Sequence, residues 1–289
     1  MPIRDNITAQ TKILCVIGYP IEHSMSPIMH NAALQDLELD YVYLAFDVPP
    51  NRLKEAVKGL KVLNVKGISV TIPLKEKIIK FLDEVESTAQ KIGAINTIKY
   101  ENGVMIGKNT DAEGGRKAIL DAGCEIKDKN ILILGAGGVA KAICYVLAKD
   151  ANKIVISNRT ENRAKQLAKE LRNKININIE GTNNSKTILR REIKTTDILI
   201  NATSVGMYPF IDKSPIDKEI LHNQLFVFDL IYNPLETQLI KDANAIGCRT
   251  LGGLDMLVNQ GVIAFEWWTN EKPNKDLMKN KILEFLEKK

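Results

Sequence analysis

Residues 130–163, NILILGAGGVAKAICYVLAKDANKIVISNRTENR, constrain the fold more than any other stretch of the chain. Ile131-Leu132-Ile133-Leu134 is a short apolar run of the kind buried on both faces in a parallel sheet. It enters Gly135-Ala136-Gly137-Gly138-Val139-Ala140, which satisfies G-x-G-x-x-G/A with alanine in the last place. Gly135 permits the tight turn, Gly137 lets the backbone close on a pyrophosphate, and Ala140 keeps the helix near the strand. Ile143, Val146 and Leu147 then recur at helical spacing, so the first amides of that helix are free to hold phosphate. A second buried strand, Lys153–Ser157, follows. The glycine motif alone also fits a turn that binds nothing. Two strands and a helix in the places the motif needs favour a dinucleotide site.

The end of the second strand selects the cofactor. An NAD site usually carries an Asp or Glu there, about 20 residues after the glycines, to bind the ribose hydroxyls. This chain has Asn158-Arg159-Thr160, with Arg163 one helical step further. Two guanidiniums therefore stand where a 2′-phosphate would sit, and arginine suits phosphate by geometry and by permanent charge. The cofactor reads as NADP.

At 289 residues the chain is long enough for two domains, each with a core of its own. Its net charge of +5 is spread along the whole length, with no basic block of the kind that binds nucleic acid. No apolar run approaches the ~18–20 residues a membrane helix needs, and MPIRDNITAQ lacks a hydrophobic leader core, so a cytoplasmic protein is expected. The four cysteines are scattered and the three histidines lack metal-binding spacing, so neither disulfide nor metal is expected.

In chain order, residues 12–19 (KILCVIGY) form a strand, followed by the proline- and hydroxyl-rich loop 20–27. Ser26 is expected as the N-cap, with Pro27 first in a helix to about Asp36. Ser24 and Ser26 are turn and cap residues in one reading and ligands for a polyol or carboxylate in another. Residues 41–48 form a second strand, 51–63 a helix, and 67–73 a third strand closed by proline. Lys75 follows where the next helix is expected to begin, and by composition it reads as a surface lysine. After a helix ending near Gly93, residues 94–98 and 103–107 pair as a hairpin around Asn102-Gly103. Asp111 opens a helix over 112–122, the candidate domain hinge, as an N-cap or as a carboxylate placed for chemistry. Beyond Arg163 come a helix to Leu171, a strand on Ile175, Ile177 and Ile179, and a loop over 181–186. Buried strands at 197–201 and 226–230 end in loops expected to line the cofactor crevice. A strand at 248–251 and helices over 254–268 and 275–289 complete the chain. Strand-helix alternation implies an α/β fold.

The blocks GYPIEHSMSPIMHNA, SVTIPLKE, GAINTI, GKNTDAEG, LGAGGVA, SNRTENR, NATSVGM and GLDMLVNQG occur in this order. Through them the chain resembles the shikimate dehydrogenases over essentially its whole length. The resemblance implies a mostly parallel α/β substrate domain (1–110 with 255–289) and a Rossmann-like NADP-binding domain (111–254), the C-terminal helices returning to the first. It implies that Ser24 and Ser26 bind the substrate carboxylate and that Thr71, Asn96 and Gln260 hold ring hydroxyls, with Tyr232 close to the substrate. Lys75 and Asp111 become the catalytic pair, both also touching substrate. Gly135, Ala136, Gly137, Gly138 and Val139 would bind pyrophosphate, and Asn158, Arg159, Thr160 and Arg163 the adenosine phosphate. Thr203, Ser204, Ile231 and Gly253 would border the nicotinamide.

The implied activity is NADPH-dependent reversible reduction of 3-dehydroshikimate to shikimate, in the biosynthesis of chorismate and the aromatic amino acids. The partners expected are small molecules, without nucleic acid or membrane, in a monomer or homodimer. Two alternatives stay open: a quinate/shikimate dehydrogenase with broader substrate use, and a non-catalytic NADP-binding regulator of the same fold.

Overall fold

The computed structural model of the chain describes residues 7–175 and 177–288. It divides into two compact units, Met1–Thr110 with Val258–Lys289, and Asp111–Leu257. Residues 1–6, which belong to the stretch read as lacking a leader core, and Lys289, read as the last helical residue, lie outside the described residues.

In the first unit β1 (Lys12–Gly18) lies between β2 (Tyr41–Asp47) and β3 (Gly67–Val70) and runs parallel to both. Leu14 to Gly18 are all buried, as befits a central parallel strand. The crossovers are α1 (Ser26–Asp36) and α2 (Leu53–Val62). The latter turns Leu53, Val57 and Leu60 inward as one stripe. Next come β4 (Glu84–Val85), α3 (Ser87–Ile92), β5 (Thr97–Glu101) and β6 (Val104–Lys108). β5 and β6 form an antiparallel hairpin whose turn residues Asn102 and Gly103 have φ of 51° and 82°. β5 is also antiparallel to β3, so the sheet β2-β1-β3-β5-β6-β4 is mixed, with parallel pairing around β1 and at the β4 edge.

The second unit contains α4 (Asp111–Asp121), β7 (Asn130–Leu134), α5 (Gly138–Leu147), β8 (Lys153–Ser157), α6 (Glu161–Arg172) and β9 (Asn178–Thr182). It continues with α7 (Lys186–Ile193), β10 (Ile198–Asn201), β11 (Phe226–Asp229), α8 (Gln238–Ile246) and β12 (Arg249–Leu251). Every strand pair here is parallel, in the order β12-β11-β10-β7-β8-β9. The order reverses between β7 and β10. In open α/β sheets ligands bind at such a switch point, outside the carboxyl ends of the strands.

α9 (Leu254–Thr269) and α10 (Lys275–Leu286) end the chain. α10 packs on α1, and Trp268 Nε1 donates to the Ile98 carbonyl at 3.0 Å, so α10 and α9 from Val258 onward complete the first unit. His30 sits beneath them, fully buried and stacked on Tyr43 with ring centroids 4.5 Å apart. Burial pulls its pKa down to about 3, leaving a neutral aromatic piece of core. No helix among the described residues is long and apolar enough to cross a membrane.

Four local expectations are corrected. The helix placed at Lys75 is a run of turns, because the Lys75 carbonyl accepts the Ile95 amide at 2.8 Å instead of feeding a helical ladder. Ser26 is the first helical residue, not the cap: Met25 occupies that place, and Ser24 Oγ accepts the Ser26 amide at 3.3 Å. The strand read on Ile175, Ile177 and Ile179 begins only at Asn178, where its pairing with Lys153 on β8 starts. Residue 186 opens α7 instead of closing a loop. That helix buries only Leu189 and Ile193, too little apolar signal to stand out.

Candidate active site

The predicted substrate residues of the first unit gather where β1 and β3 end. The Tyr19 amide donates to the Ile72 carbonyl at 3.0 Å and the Thr71 amide to the Ile17 carbonyl at 2.9 Å. The segment leading to Ser24 and Ser26 therefore runs beside the one carrying Thr71 and Lys75. Each contains a cis proline, Tyr19-Pro20 and Ile72-Pro73. The Ser26 hydroxyl lies by that of Tyr43, which donates to Ser69 Oγ at 2.7 Å. Through its carbonyl bond to Ile95, Lys75 stands next to Asn96. Asn96 is buried and knits the region together: Nδ2 donates to Thr110 Oγ1 at 2.9 Å and to Gln260 Oε1 at 3.3 Å, while Oδ1 accepts the Thr110 amide at 2.7 Å. Its carbonyl accepts the Val70 amide at 2.8 Å, just before Thr71. Segments carrying hydroxyl, amide and lysine side chains thus meet at one end of this sheet. Asp111 follows Thr110 as the first residue of α4 and is itself buried. It belongs to the second unit, as does Tyr232 in the loop after β11.

The glycine loop of the second unit occupies the switch point. Gly135 has φ +111°, and a Cβ there would lie 2.8 Å from the Ala202 carbonyl oxygen, so the loops after β7 and β10 touch through a residue that must be glycine. Ala136 and Gly137 lead into Gly138 and Val139 at the start of α5. A Cβ on Gly137 would meet no atom within 4 Å. No side chain caps α5, and its first turn holds no acidic residue. Open space before an uncapped helix start fits a pyrophosphate. Asn158, Arg159 and Thr160 follow β8, Asn158 Nδ2 donating to the Thr160 carbonyl at 3.0 Å. Arg159 and Arg163 have no ion-pair or hydrogen-bonded side-chain partner among the described residues, while the nearby Glu161 is held by Lys165 at 2.8 Å. Two guanidiniums without such partners, beside a carboxylate already paired with Lys165, fit a 2′-phosphate.

Thr203 and Ser204 lie in the loop after β10, Ile231 in the loop after β11, and Gly253 just beyond β12. The Gly253 amide donates to the Ile231 carbonyl at 3.1 Å, and a Cβ on Gly253 would overlap the Leu230 carbonyl. These loops hang on residues that the sequence reading passed over, Asn201 and Asp229. Both are fully buried, and Asn201 Nδ2 donates to Asp229 Oδ1 at 3.0 Å. Burial pushes the Asp229 carboxyl up to about 6, against hydrogen bonds from Thr237, Ile231 and Asn201 that pull it down. The available signal was an amide and a carboxylate ending two otherwise apolar strands.

The comparisons with known proteins converge. Residues 16–98 match the shikimate dehydrogenase substrate binding domain, residues 117–244 match shikimate / quinate 5-dehydrogenase, and residues 253–283 match the shikimate 5′-dehydrogenase C-terminal domain. The shikimate dehydrogenase (NADP(+)) of Methanocaldococcus jannaschii is 50% identical over 283 residues, covering 98% of this chain and all of that one. A crystal structure of a shikimate dehydrogenase in complex with NADP+ superimposes with a TM-score of 0.92 at 46% identity, covering 99% of both chains. The shikimate 5-dehydrogenase of Listeria monocytogenes, crystallised with shikimate and NAD, gives 0.89 at 38% identity, over 97% of this chain and 99% of that one.

Proposed function

The chain belongs to the shikimate dehydrogenase family, and on that premise we propose that it reduces 3-dehydroshikimate reversibly to shikimate with NADPH. The observation that carries this reading is the junction at Asn96, which gathers Thr71, Lys75 and Gln260 at one end of the first sheet. A polyhydroxylated ring with a carboxylate needs such a mixture, and a simple dinucleotide-binding module does not.

NADPH, when bound, supplies the hydride that reduces the ketone carbon. Lys75 Nζ donates the proton to the oxygen that gains charge, and its own charge stabilises that oxygen beforehand. Asp111 is assigned as the carboxylate that keeps the ammonium protonated and directed. Ser24 and Ser26 bind the substrate carboxylate, Thr71, Asn96 and Gln260 its hydroxyls, and Tyr232 adds a further contact. Gly135 to Val139 hold the pyrophosphate, and Asn158, Arg159, Thr160 and Arg163 the adenosine 2′-phosphate. Thr203, Ser204, Ile231 and Gly253 border the nicotinamide. Residues 1–110 with 255–289 then serve as the substrate domain and 111–254 as the NADP domain. The product enters chorismate and aromatic amino-acid biosynthesis. We place the reaction in the cytoplasm, where four buried, unpaired thiols would stay reduced.

Initial rates with shikimate and with quinate, each with NADP and with NAD, test the proposal. Shikimate with NADP should give the largest kcat/KM. Faster turnover of quinate would replace the substrate assignment, and no turnover with any pair would remove the enzymatic reading.

A further inference from the structure

Asp229 ends β11 opposite Asn201 on β10, at the register point where two loops leave the sheet. Its carboxylate is fully buried, and among the described residues no cation lies beside it. Burying a lone carboxylate is costly unless several donors meet it, so a position that needed only packing would favour an apolar side chain. The donors here come from both loops. Oδ1 accepts from Asn201 Nδ2 at 3.0 Å and from the Ile231 amide at 3.1 Å, and Oδ2 accepts from Thr237 Oγ1 at 2.6 Å.

Asn201 in turn organises the loop after β10. Its Oδ1 accepts the amide and the hydroxyl of Thr203 at 3.1 and 2.7 Å, and its Nδ2 reaches the Val205 carbonyl at 3.3 Å. Thr203 Oγ1 also accepts the Val205 amide at 3.1 Å. On the other side, the Ile231 amide opens the loop after β11. Thr237 closes it and caps α8, accepting the Ile240 amide at 3.3 Å. One carboxylate therefore sets the start of both loops and the end of one.

We propose that Asp229, with Asn201 and Thr237, forms a set of positioning residues that locks the loops at 202–206 and 230–236 into the wall facing the nicotinamide half of NADP. The inference rests on the NADP reading above. The adenosine half is assigned to other loops, those after β7 and β8, so the lock should act on one half of the cofactor and not on the other.

The test uses the full-length protein carrying Asp229→Asn, Thr237→Val and, as the conservative return, Thr237→Ser. The readouts are kcat and KM with shikimate, Kd for NADP, and Kd for 2′,5′-ADP, which has the phosphorylated adenosine half and no nicotinamide. Amide hydrogen exchange over residues 201–207 and 229–237 is measured without any ligand. Asp229→Asn and Thr237→Val should lower kcat about tenfold or more and weaken NADP several-fold, as expected when positioned groups shift by a fraction of an ångström. Exchange in both loops should quicken, 2′,5′-ADP should bind as before, and Thr237→Ser should behave as wild type. Asp229→Asn leaves the Thr237 cap in place, so it gives the answer even where Thr237→Val fails to fold.

Wild-type kcat and exchange in folded variants would overturn the proposal. So would a loss of 2′,5′-ADP affinity in step with NADP, which would mark a general support of the unit. Should the wild type bind neither ligand, the NADP reading fails and the exchange data judge the lock alone. Quickened loops would then sustain it, and unchanged loops would overturn it.

Discussion

The second unit offers its proposed ligand mainly backbone: a glycine at positive φ, an uncapped helix start, and loops leaving parallel strands at a switch point. The first unit offers side chains: serines, a threonine, an asparagine, a glutamine and a lysine on segments brought together by its mixed sheet and by α9. A main-chain cradle is a property of local conformation, and it suits a phosphate group that many proteins bind. A side-chain cluster depends on which distant residues meet, and it suits a ring whose hydroxyls must be told apart. Substitutions in the first unit should therefore change chemistry and substrate affinity with little effect on NADP. Those in the second, Asp111 and Tyr232 apart, should change NADP with little effect on substrate.

The largest effect should come from Lys75→Ala, which should lower kcat by roughly 10²–10⁴-fold, the usual range for loss of a general acid. KM for shikimate and the melting temperature should move far less, since Lys75 sits in a turn held by its backbone carbonyl. Near wild-type turnover would leave Lys75 as an ordinary surface lysine and remove the chemical half of the contrast.

Next is a pH effect confined to the second unit. Asp229 titrates at about 6 when folded, against an ordinary value of 3.8. Because the folded value is the higher one, its contribution to stability is complete below about pH 4 and lost as the pH rises through about 6, on the order of 2–3 kcal/mol in all. Asp229→Asn stays neutral throughout. Its melting temperature should therefore improve relative to wild type between pH 4.5 and 7.5. A gap that stayed constant with pH would mean that the buried carboxyl does not titrate in this range.

Arg159→Ala should raise KM for NADP by about tenfold or more, as loss of a charge-assisted hydrogen bond of ~1.5–3 kcal/mol implies. NAD kinetics should hardly change, and added salt should weaken NADP more than NAD. Equal losses with both cofactors would make Arg159 a support of the fold. The smallest effect is expected for Ser26→Ala, a rise in KM for shikimate of roughly five- to tenfold from one lost hydrogen bond. Since Ser26 makes no capping bond, its melting temperature should fall by less than the loss of a helix cap would cause. A fall in stability without a change in KM would assign the Ser26 hydroxyl to its neighbour Tyr43 instead of substrate.

What could be read without coordinates follows the same division. Residues 130–163 announced the second unit because strand, glycine turn and helix are local, and each leaves its own periodicity in the sequence. The eight ordered blocks added the family, and with it the site residues expected in the first unit. The local errors at Lys75, Ser26, Ile175 and Lys186 share one cause. At each, the backbone obeys a partner that is distant, unexpected or only weakly signalled. The Lys75 carbonyl takes an amide 20 residues away, and β9 takes its register from β8.

By itself the sequence determined two α/β units, a glycine turn between strand and helix, and two arginines after the second strand proposed to read a phosphate, since alternating apolar runs, glycines and permanent charges act through near neighbours. Only the tertiary structure decided that Asn96 would join Thr110 to Gln260, or that Asp229 would draw Asn201, Ile231 and Thr237 onto one carboxylate. The reason is physical. A polar side chain in a buried position must find partners among whatever groups the packed strands bring within hydrogen-bond reach, and that neighbourhood exists only after the chain has folded.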